Sequence, residues 1–476
     1  MHKGPNKSKE RRLQQGRQTA KSQKPGKSGT ARKRTGEART LLADDFARLA
    51  VPKTVDPGLG ANDLIEQVLA PNNLAMAWKK VTANKGSAGV DGRGITATET
   101  YLHEHGAQLF KAIRLGAYKP EPVRRVSIAK PGGGERQLGI PTLTDRLIQQ
   151  AMLQVLQPII DPTMSAHSYG FRPGRSAHQA IEAAHAYIEQ GRDFVVDVDL
   201  AKFFDTVHHD ILMQKVVRHI SDKLVLKLIR RYLQAGALMA NGVLVRQEEG
   251  TPQGGPLSPL LANIMLDSVD KALEATGHKF ARYADDCNVY VKSERAGLRV
   301  MERLKRLFTG LRLTINADKS AVASVFTRKF LGYSFFRDKE GKVKKRVSTK
   351  ARESFKQKIR KITRRKSGRK FGETLAQARS LLHGWRNYFK LAQTPSTFQK
   401  LDGWIRRRLR AVLLKQWKNP KTTYRALRKI GASPRIAALC ARNTRRWWWN
   451  SRLANLALKA ARFDKLKVPR RAPVPQ

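Results

Sequence analysis

The chain has 476 residues, with 93 Lys and Arg against 38 Asp and Glu and a formal charge of +55. Such an excess implies a polyanionic partner, and its spread along nearly the whole chain fits wrapping of a long nucleic acid through its phosphates. No run approaches the roughly 18 apolar residues of a membrane span and no signal-peptide core follows Met1, while two cysteines, Cys287 and Cys440, exclude a disulfide framework or a Cys-based zinc site and fit a reducing, intracellular location.

In chain order, residues 1–60 form a basic arm. Its first 40 residues combine Lys and Arg with Gly, Ser, Gln and Pro and almost no apolar side chains, a composition that predicts disorder. A mitochondrial presequence would need an amphipathic apolar face that this stretch lacks. A helical pattern then runs from Asn62 to about Val81, Asn84 to Gly92 is a turn-rich loop, and helix resumes through Tyr118. Val123–Ile128 and Arg136–Ile140 predict a hairpin with a flexible Lys130–Gly134 tip. Lys130 and Arg136 could project from it together towards an anionic ligand, although solvated surface charges would look the same.

The basic turn Phe171–Arg175 precedes Ser176-Ala-His-Gln179, which has capping-box spacing, and Gly191 stops the helix that follows. Phe194–Leu200 reads as a strand whose period of two puts Asp197 and Asp199 on one face. Asp205 and His208-His209 lie near the start of a helix extending towards Ile220, and the histidines read as surface or cap residues rather than metal ligands. Gly250–Pro259 is a rigid loop rich in backbone donors, with Ser258 as a helix N-cap and Pro259 at the next position. It has neither a P-loop ending nor dinucleotide spacing.

Phe280–Val291 is the stretch that organises the rest. Two apolar runs flank Tyr283-Ala-Asp-Asp286, predicting a hairpin with a carboxylate pair at its tip. Adjacent acids on a rigid turn repel unless a cation neutralises them, although Asp-Asp also makes an ordinary polar turn. Beyond about residue 340 the pattern becomes helical and more basic. Thr374-Leu-Ala-Gln377 and Ser396-Thr-Phe-Gln399 have capping-box spacing, and Leu401, Ile405, Leu409 and Leu413 recur on one face. Trp385, Trp404 and Trp417 are expected in a helical core. Trp447–Trp449 cannot all face one core, which leaves base stacking open for at least one of them.

If Asp199 lies beside Asp285 and Asp286, three carboxylates converge at neighbouring strand ends. Hard oxygen ligands suit Mg²⁺, which keeps positions for water and substrate phosphates. Two such ions about 3.5–4 Å apart support in-line nucleotidyl transfer.

Eight blocks in order complete this picture: Asn84–Gly92, Lys130–Pro141, Ser168–Arg175, Asp199-Leu-Ala-Lys-Phe-Phe-Asp205, Thr251-Pro-Gln-Gly-Gly255, Tyr283–Asp286, Leu313–Ser320 and Phe330-Leu-Gly-Tyr-Ser334. Together they resemble the bacterial group II intron reverse transcriptases, or intron-encoded maturases. The resemblance implies an α+β fold: a right-hand polymerase with fingers and an antiparallel palm sheet over 61–338, a helical thumb or maturase domain over 339–425, and a basic nucleic-acid-binding segment over 426–476. It makes Asp199, Asp285 and Asp286 the catalytic metal-binding carboxylates, with the Leu200 carbonyl as a further ligand. Two Mg²⁺ ions are expected, with Mn²⁺ as a substitute. Lys130, Arg136, Phe204 and Gln253 would bind the incoming dNTP, Phe204 as the gate against a ribose 2′-hydroxyl. Leu331-Gly332 resembles the primer grip. Asp197 and Asp205 keep structural roles in hydrogen bonding and capping. Nucleic-acid contacts are expected from Arg172, Arg175, Lys319, Arg360, Lys361, Arg364, Arg365, Lys366 and Trp447.

The implied function is RNA-directed DNA synthesis together with assistance to intron splicing and mobility. The implied partners are group II intron RNA, an RNA template with a DNA primer, target DNA and dNTPs, with no membrane. A cytoplasmic ribonucleoprotein is expected, monomeric or homodimeric. The chain shows no Cys pairs of a C-terminal nuclease, which resembles the class C lineage. A domesticated relative in phage defence or CRISPR-associated spacer acquisition would carry the same motifs, and the basic helical region also suits a protein acting chiefly as an RNA-binding maturase.

Overall fold

In this computed structural model the described residues are 41, 43–50, 64–129, 134–239, 243–245, 249–251, 254–365 and 368–469. Of the expected basic arm, residues 1–40, 42 and 51–60 lie outside them, as do Lys130, Gln253 and Lys366; contrary to the expected disordered arm over 1–60, residues 43–50 form a helix whose Phe46 is fully buried. Four helices open this part of the chain: α1 (Ala43–Ala50), α2 (Leu64–Leu69), α3 (Pro71–Ala83) and α4 (Ile95–Arg114). The single helix expected from Asn62 is thus two, because Pro71 starts a new helix and lacks the amide that would continue the old one. Trp78, fully buried, donates its indole N–H to Glu99 at 3.1 Å and ties α3 to α4.

The fingers hairpin forms as expected from β1 (Val123–Ala129) and β2 (Glu135–Ile140), and short strands β4 (Ala237–Leu238) and β5 (Leu244–Val245) extend it to a sheet of order β2-β1-β4-β5. Two helices follow in the chain, α5 (Leu143–Ile160), which packs against α2 to α4, and α6 (Ala177–Glu189). Ser176 caps α6 by accepting the Gln179 amide, and Gly191 follows at φ +79°. The palm sheet has the order β6-β7-β3-β8, built from β3 (Phe194–Val198), β6 (Lys279–Tyr283), β7 (Asp286–Val291) and β8 (Ala321–Ser324), with each neighbour antiparallel. Helices α7 (His209–Val217), α8 (Lys223–Gln234), α9 (Ser258–Glu274) and α10 (Glu294–Gly310) complete one continuous apolar core with the N-terminal helices. Helix α9 begins one residue earlier than expected: Leu257 is its N-cap and Ser258 its first residue.

A hairpin of β9 (Tyr333–Arg337) and β10 (Val343–Val347) leads into seven helices, α11 (Thr349–Ile362), α12 (Phe371–Tyr388), α13 (Pro395–Gln416), α14 (Pro420–Lys429), α15 (Pro434–Arg442), α16 (Trp447–Leu453) and α17 (Ala460–Lys465). They enclose a second core that includes Leu382, Ile405, Leu409 and Phe463, with Trp385, Trp404, Trp417 and Leu413 packed against it, as their spacing predicts. Both capping boxes expected here are absent. Thr374 lies inside α12, which starts at Phe371, and Ser396 is the second residue of α13, because Pro395 takes the first position.

Candidate active site

The register of two strands brings the acids to one end of the palm. β3 and β7 pair antiparallel up to Val198 opposite Cys287, so Asp199 leaves its strand opposite Asp286, the first residue of β7. Tyr283 of β6 pairs with the same Asp286, leaving Ala284 and Asp285 as a two-residue tip. Backbone bonds fix the exit of β3: Asp199 N–H donates to the Ser320 hydroxyl at 3.0 Å, and its carbonyl accepts the Asn316 amide at 2.8 Å. Leu200 continues this pairing, bridging to Ile315 with its side chain buried, which leaves its backbone as the part that could reach a cation.

The tip is held from behind by residues that sequence periodicity did not mark. Ala284 sits at φ +59°, a conformation costing a non-glycine residue roughly 1–2 kcal/mol. Arg282, 2% exposed, secures it. Its guanidinium donates to both Asp270 carboxylate oxygens, to Asn263 Oδ1 at 2.9 Å, to the Ser168 hydroxyl at 2.8 Å and to the Ala284 carbonyl at 2.9 Å. Gly170 lies so close that a Cβ there would meet the Ala284 nitrogen at 2.3 Å, so only glycine fits. The block around Ser168 therefore seats the Tyr283–Asp286 turn. Arg172 belongs to this seat too. It was expected to contact nucleic acid, yet it is buried, binding the Asp161 carboxylate at 2.8 Å and the Ser168 carbonyl at 3.1 Å. Its partners are remote or backbone groups, so its charge read as surface in the sequence.

The acids repel one another. Asp286 opens to solvent at the start of β7, yet its pKa is pushed up to about 6, first by desolvation and then by Asp285, Asp197 and Asp199. Asp197 is raised by burial but held by Arg328, whose Nε and Nη2 donate to one carboxylate oxygen at 2.9 and 2.6 Å; its structural role is thereby as expected. Asp199 leans towards Lys319 at 3.5 Å, so Lys319, expected on nucleic acid, faces the acidic site. Among the described residues, no three His, Cys, Asp or Glu side chains converge closely enough to hold a metal by themselves. The expected three-carboxylate cage is therefore not drawn together, and repulsion between like charges favours that separation. The donors still fit a hard divalent cation: they are carboxylate oxygens with surplus negative charge.

A cleft of about 520 Å³ adjoins the turn through Phe171, whose ring lies 6.3 Å from that of Tyr283. Phe204, Leu138, Arg146, Gln150, Phe171 and Gly254 line it, and Phe204 packs edge-on against Phe203 with ring centroids 5.1 Å apart. Arg136 lies in β2, paired through its backbone with Ile128. Asp205 closes a short helical turn by donating its amide to the Lys202 carbonyl at 2.7 Å. His208 occupies the N-cap position of α7, and its ring meets Arg312 at 2.7 Å. His209 departs from the expectation of a surface residue: it is buried, 2.7 Å from the Gly250 carbonyl.

The expected nucleic-acid residues of α11 and its exit, Arg360, Lys361, Arg364 and Arg365, are exposed, and Arg175 is half-buried near the Tyr169 ring. Trp447 packs against the second core beneath Lys415, whose Nζ lies 4.1 Å from the ring centre. Trp448 and Trp449 are the exposed members of the triplet.

Residues 128–335 match the family model described as reverse transcriptase (RNA-dependent DNA polymerase), and residues 352–431 match the group II intron maturase-specific domain. Protein YkfC of Escherichia coli strain K12 is 33% identical over 327 residues, covering 60% of this chain and 85% of that protein. The chain belongs to the group II intron reverse transcriptases. Another similar relative is the group II intron-encoded protein LtrA of Lactococcus lactis subsp. cremoris, 35% identical over 247 residues, which are 51% of this chain and 41% of LtrA. Less than half of LtrA is thus spanned. Among solved structures, a partial Cas6-RT-Cas1–Cas2 complex is similar at 25% identity, 55% coverage of this chain, 46% of that chain and a TM-score of 0.34. The palm acids and most of the cleft wall fall inside the first matched segment, and the basic helices α11 to α14 largely inside the second.

Proposed function

We propose that the protein is an RNA-directed DNA polymerase that copies intron RNA and binds that RNA to assist splicing and mobility. The observation that carries the reading is the strand register, which sets Asp199 opposite Asp286 next to the Asp285 tip, within a chain matching both a reverse transcriptase and a maturase domain in order. Asp199, Asp285 and Asp286 are the residues that would hold Mg²⁺, or Mn²⁺ in its place. When bound, the ions supply activation of the primer 3′-hydroxyl and charge stabilisation at the transferring phosphate. The chain's own residues position the reactants. Phe204, in the cleft wall, would stand against the sugar edge of a nucleotide and disfavour a ribose 2′-hydroxyl. Lys130, Arg136 and Gln253 would hold the triphosphate and the nascent pair, and the Leu331-Gly332 turn would support the primer. Group II intron RNA, a primed RNA template, target DNA and dNTPs are the proposed partners, in a cytoplasmic ribonucleoprotein.

Primer extension on an RNA template with dNTPs and a divalent cation tests this. Asp285→Asn should abolish synthesis, and unchanged activity would sink the metal assignment. A second, separable role as maturase is favoured by the match over 352–431 and by the exposed basic residues around α11. Splicing assistance that survives Asp285→Asn would support it, whereas failure of the wild type to bind its intron RNA would end it.

A further inference from the structure

The Leu331-Gly332 turn is strained and is held by a helix from another part of the chain. Leu331 lies at φ +48° and Gly332 at φ +80°, closing a tight reversal in which Phe330 and Tyr333 exchange backbone bonds of 2.9 Å each. Leucine pays for that left-handed conformation, so something outside the turn must stabilise it. Tyr388, the last residue of α12, meets this need. Its hydroxyl donates to the Leu331 carbonyl at 2.9 Å. Its own backbone carbonyl accepts from Tyr333 Oη at 2.5 Å and from His178 Nε2 at 2.7 Å, so a palm helix and the turn's own strand both grip the end of α12. The next residue, Phe389, closes over Gly332, where a Cβ would meet its ring at 3.3 Å. Burial raises the Tyr388 pKa, with the charges of Tyr283 and Asp286 adding to it, so the hydroxyl keeps its proton to donate while lying within electrostatic reach of the acidic tip.

We propose that Tyr388 is a positioning residue: through its hydroxyl, helix α12 sets the Leu331-Gly332 turn and thereby the primer 3′ end. This rests on the polymerase reading above. A shift of α12 is transmitted to the turn as a hydrogen bond made or lost, which couples thumb movement along the template–primer to alignment of the reacting end.

The test is single-turnover addition of one dNTP to a DNA primer on an RNA template by the full chain, with primer–template and dNTP varied separately and thermal unfolding followed in parallel. Tyr388→Phe deletes the hydroxyl and keeps the ring. The maximal rate should fall roughly tenfold, the size of one hydrogen bond. Half-saturating primer–template and dNTP concentrations and the Tm should stay near wild type. Tyr101→Phe removes a hydroxyl on α4, where the ring meets Arg93 and His105, and should change the rate less than about twofold. An unchanged rate in Tyr388→Phe overturns the proposal. Equal losses in both variants, or a fall that follows Tm, overturn it as well by marking general loosening. An inert wild type defeats the polymerase reading itself, and this inference with it.

Discussion

The fingers and palm on one side, and the helical region from Thr349 on the other, differ in how fully they balance the charge they bury. In the palm, Arg282 and Asp270 are 2% and 0% exposed and bind each other directly, so the pair is electrically closed. In the helical region the acids are few, namely Glu353, Glu373, Asp402 and Asp464; Asp402 and Asp464 both go to the buried Arg406, and other guanidiniums rest on rings and carbonyls. Arg410, 5% exposed, donates to the Leu458 carbonyl at 2.8 Å and lies over the Phe463 ring, and burial pushes its pKa down to about 10. Arg408 sits over Trp404. Carbonyls and rings satisfy donors without cancelling charge, so the helical region keeps its positive field for phosphates. In the palm the buried Arg282 and Asp270 cancel, and excess negative charge gathers at the tip, where Asp286 feels Asp285, Asp197 and Asp199.

The largest effect should come from that surplus. Asp285→Asn is expected to cut primer extension at least about a hundredfold, because a lost metal ligand removes several kcal/mol of charge stabilisation. RNA binding, measured by filter retention, should stay within about twofold if the two regions are separable. A parallel loss of RNA binding would erase the contrast drawn between them.

Breaking the closed pair comes next. Arg282→Met leaves Asp270 buried and unpaired and should cost about 3–5 kcal/mol in urea unfolding. The double change Arg282→Met with Asp270→Leu should recover most of that stability, since similar apolar volume replaces the pair. It should not recover polymerase activity, because the bond from Arg282 to the Ala284 carbonyl is still missing. Full recovery of activity would show that Arg282 serves stability alone.

A buried acid without a basic partner gives the third test. Asp145, 1% exposed, accepts hydroxyl bonds of 2.6 Å from both Tyr118 and Thr142. Desolvation outweighs them and raises its pKa to about 6. An acid raised on folding binds its proton more tightly in the folded state, so its stabilising contribution is complete below about pH 4 and is lost as pH rises through 6. Urea midpoints of wild type and Asp145→Asn should therefore shift relative to each other between pH 4 and 7.5, in favour of Asn at the higher pH, by up to about 3 kcal/mol. A constant pH-independent offset, of about 1–3 kcal/mol for a mismatched donor, would show that Asp145 does not titrate there.

The parts of the fold that were legible in the sequence are those decided locally. The period of Phe194–Val198 and the paired apolar runs around Tyr283 gave the two strands and the tip, and the Leu401–Leu413 spacing gave the buried face of α13. What escaped was decided by distant partners. Arg282 reads as any strand arginine until α9 brings Asp270 and Asn263 to it, and Arg172 reads as surface until Asp161 meets it. The capping boxes at Thr374 and Ser396 had the correct spacing, but the helices began upstream, at Phe371 and, with proline at the first position, at Pro395. The three carboxylates share one sheet end as expected, yet Asp199 leans to Lys319 and Asp286 feels the repulsion of its neighbours, neither of which local periodicity encodes.

The smallest expected effect probes the open field of the helical region. Lys361 and Arg364, exposed at the end of α11, offer charge without an apolar role, unlike Arg360 or Arg408, which also cover Trp404. If they contact phosphates, Lys361→Gln with Arg364→Gln should weaken binding of a structured RNA by about tenfold at moderate salt and flatten the plot of log affinity against log salt by roughly 1.5. Both changes should shrink together as salt rises, because they arise from the same released counterions. Stability should move by less than about 0.5 kcal/mol, since solvated surface charges contribute little. An affinity loss with an unaltered salt slope would mean that the pair shapes the RNA-binding surface rather than its field, and would shift the source of the positive field to the guanidiniums buried beneath it.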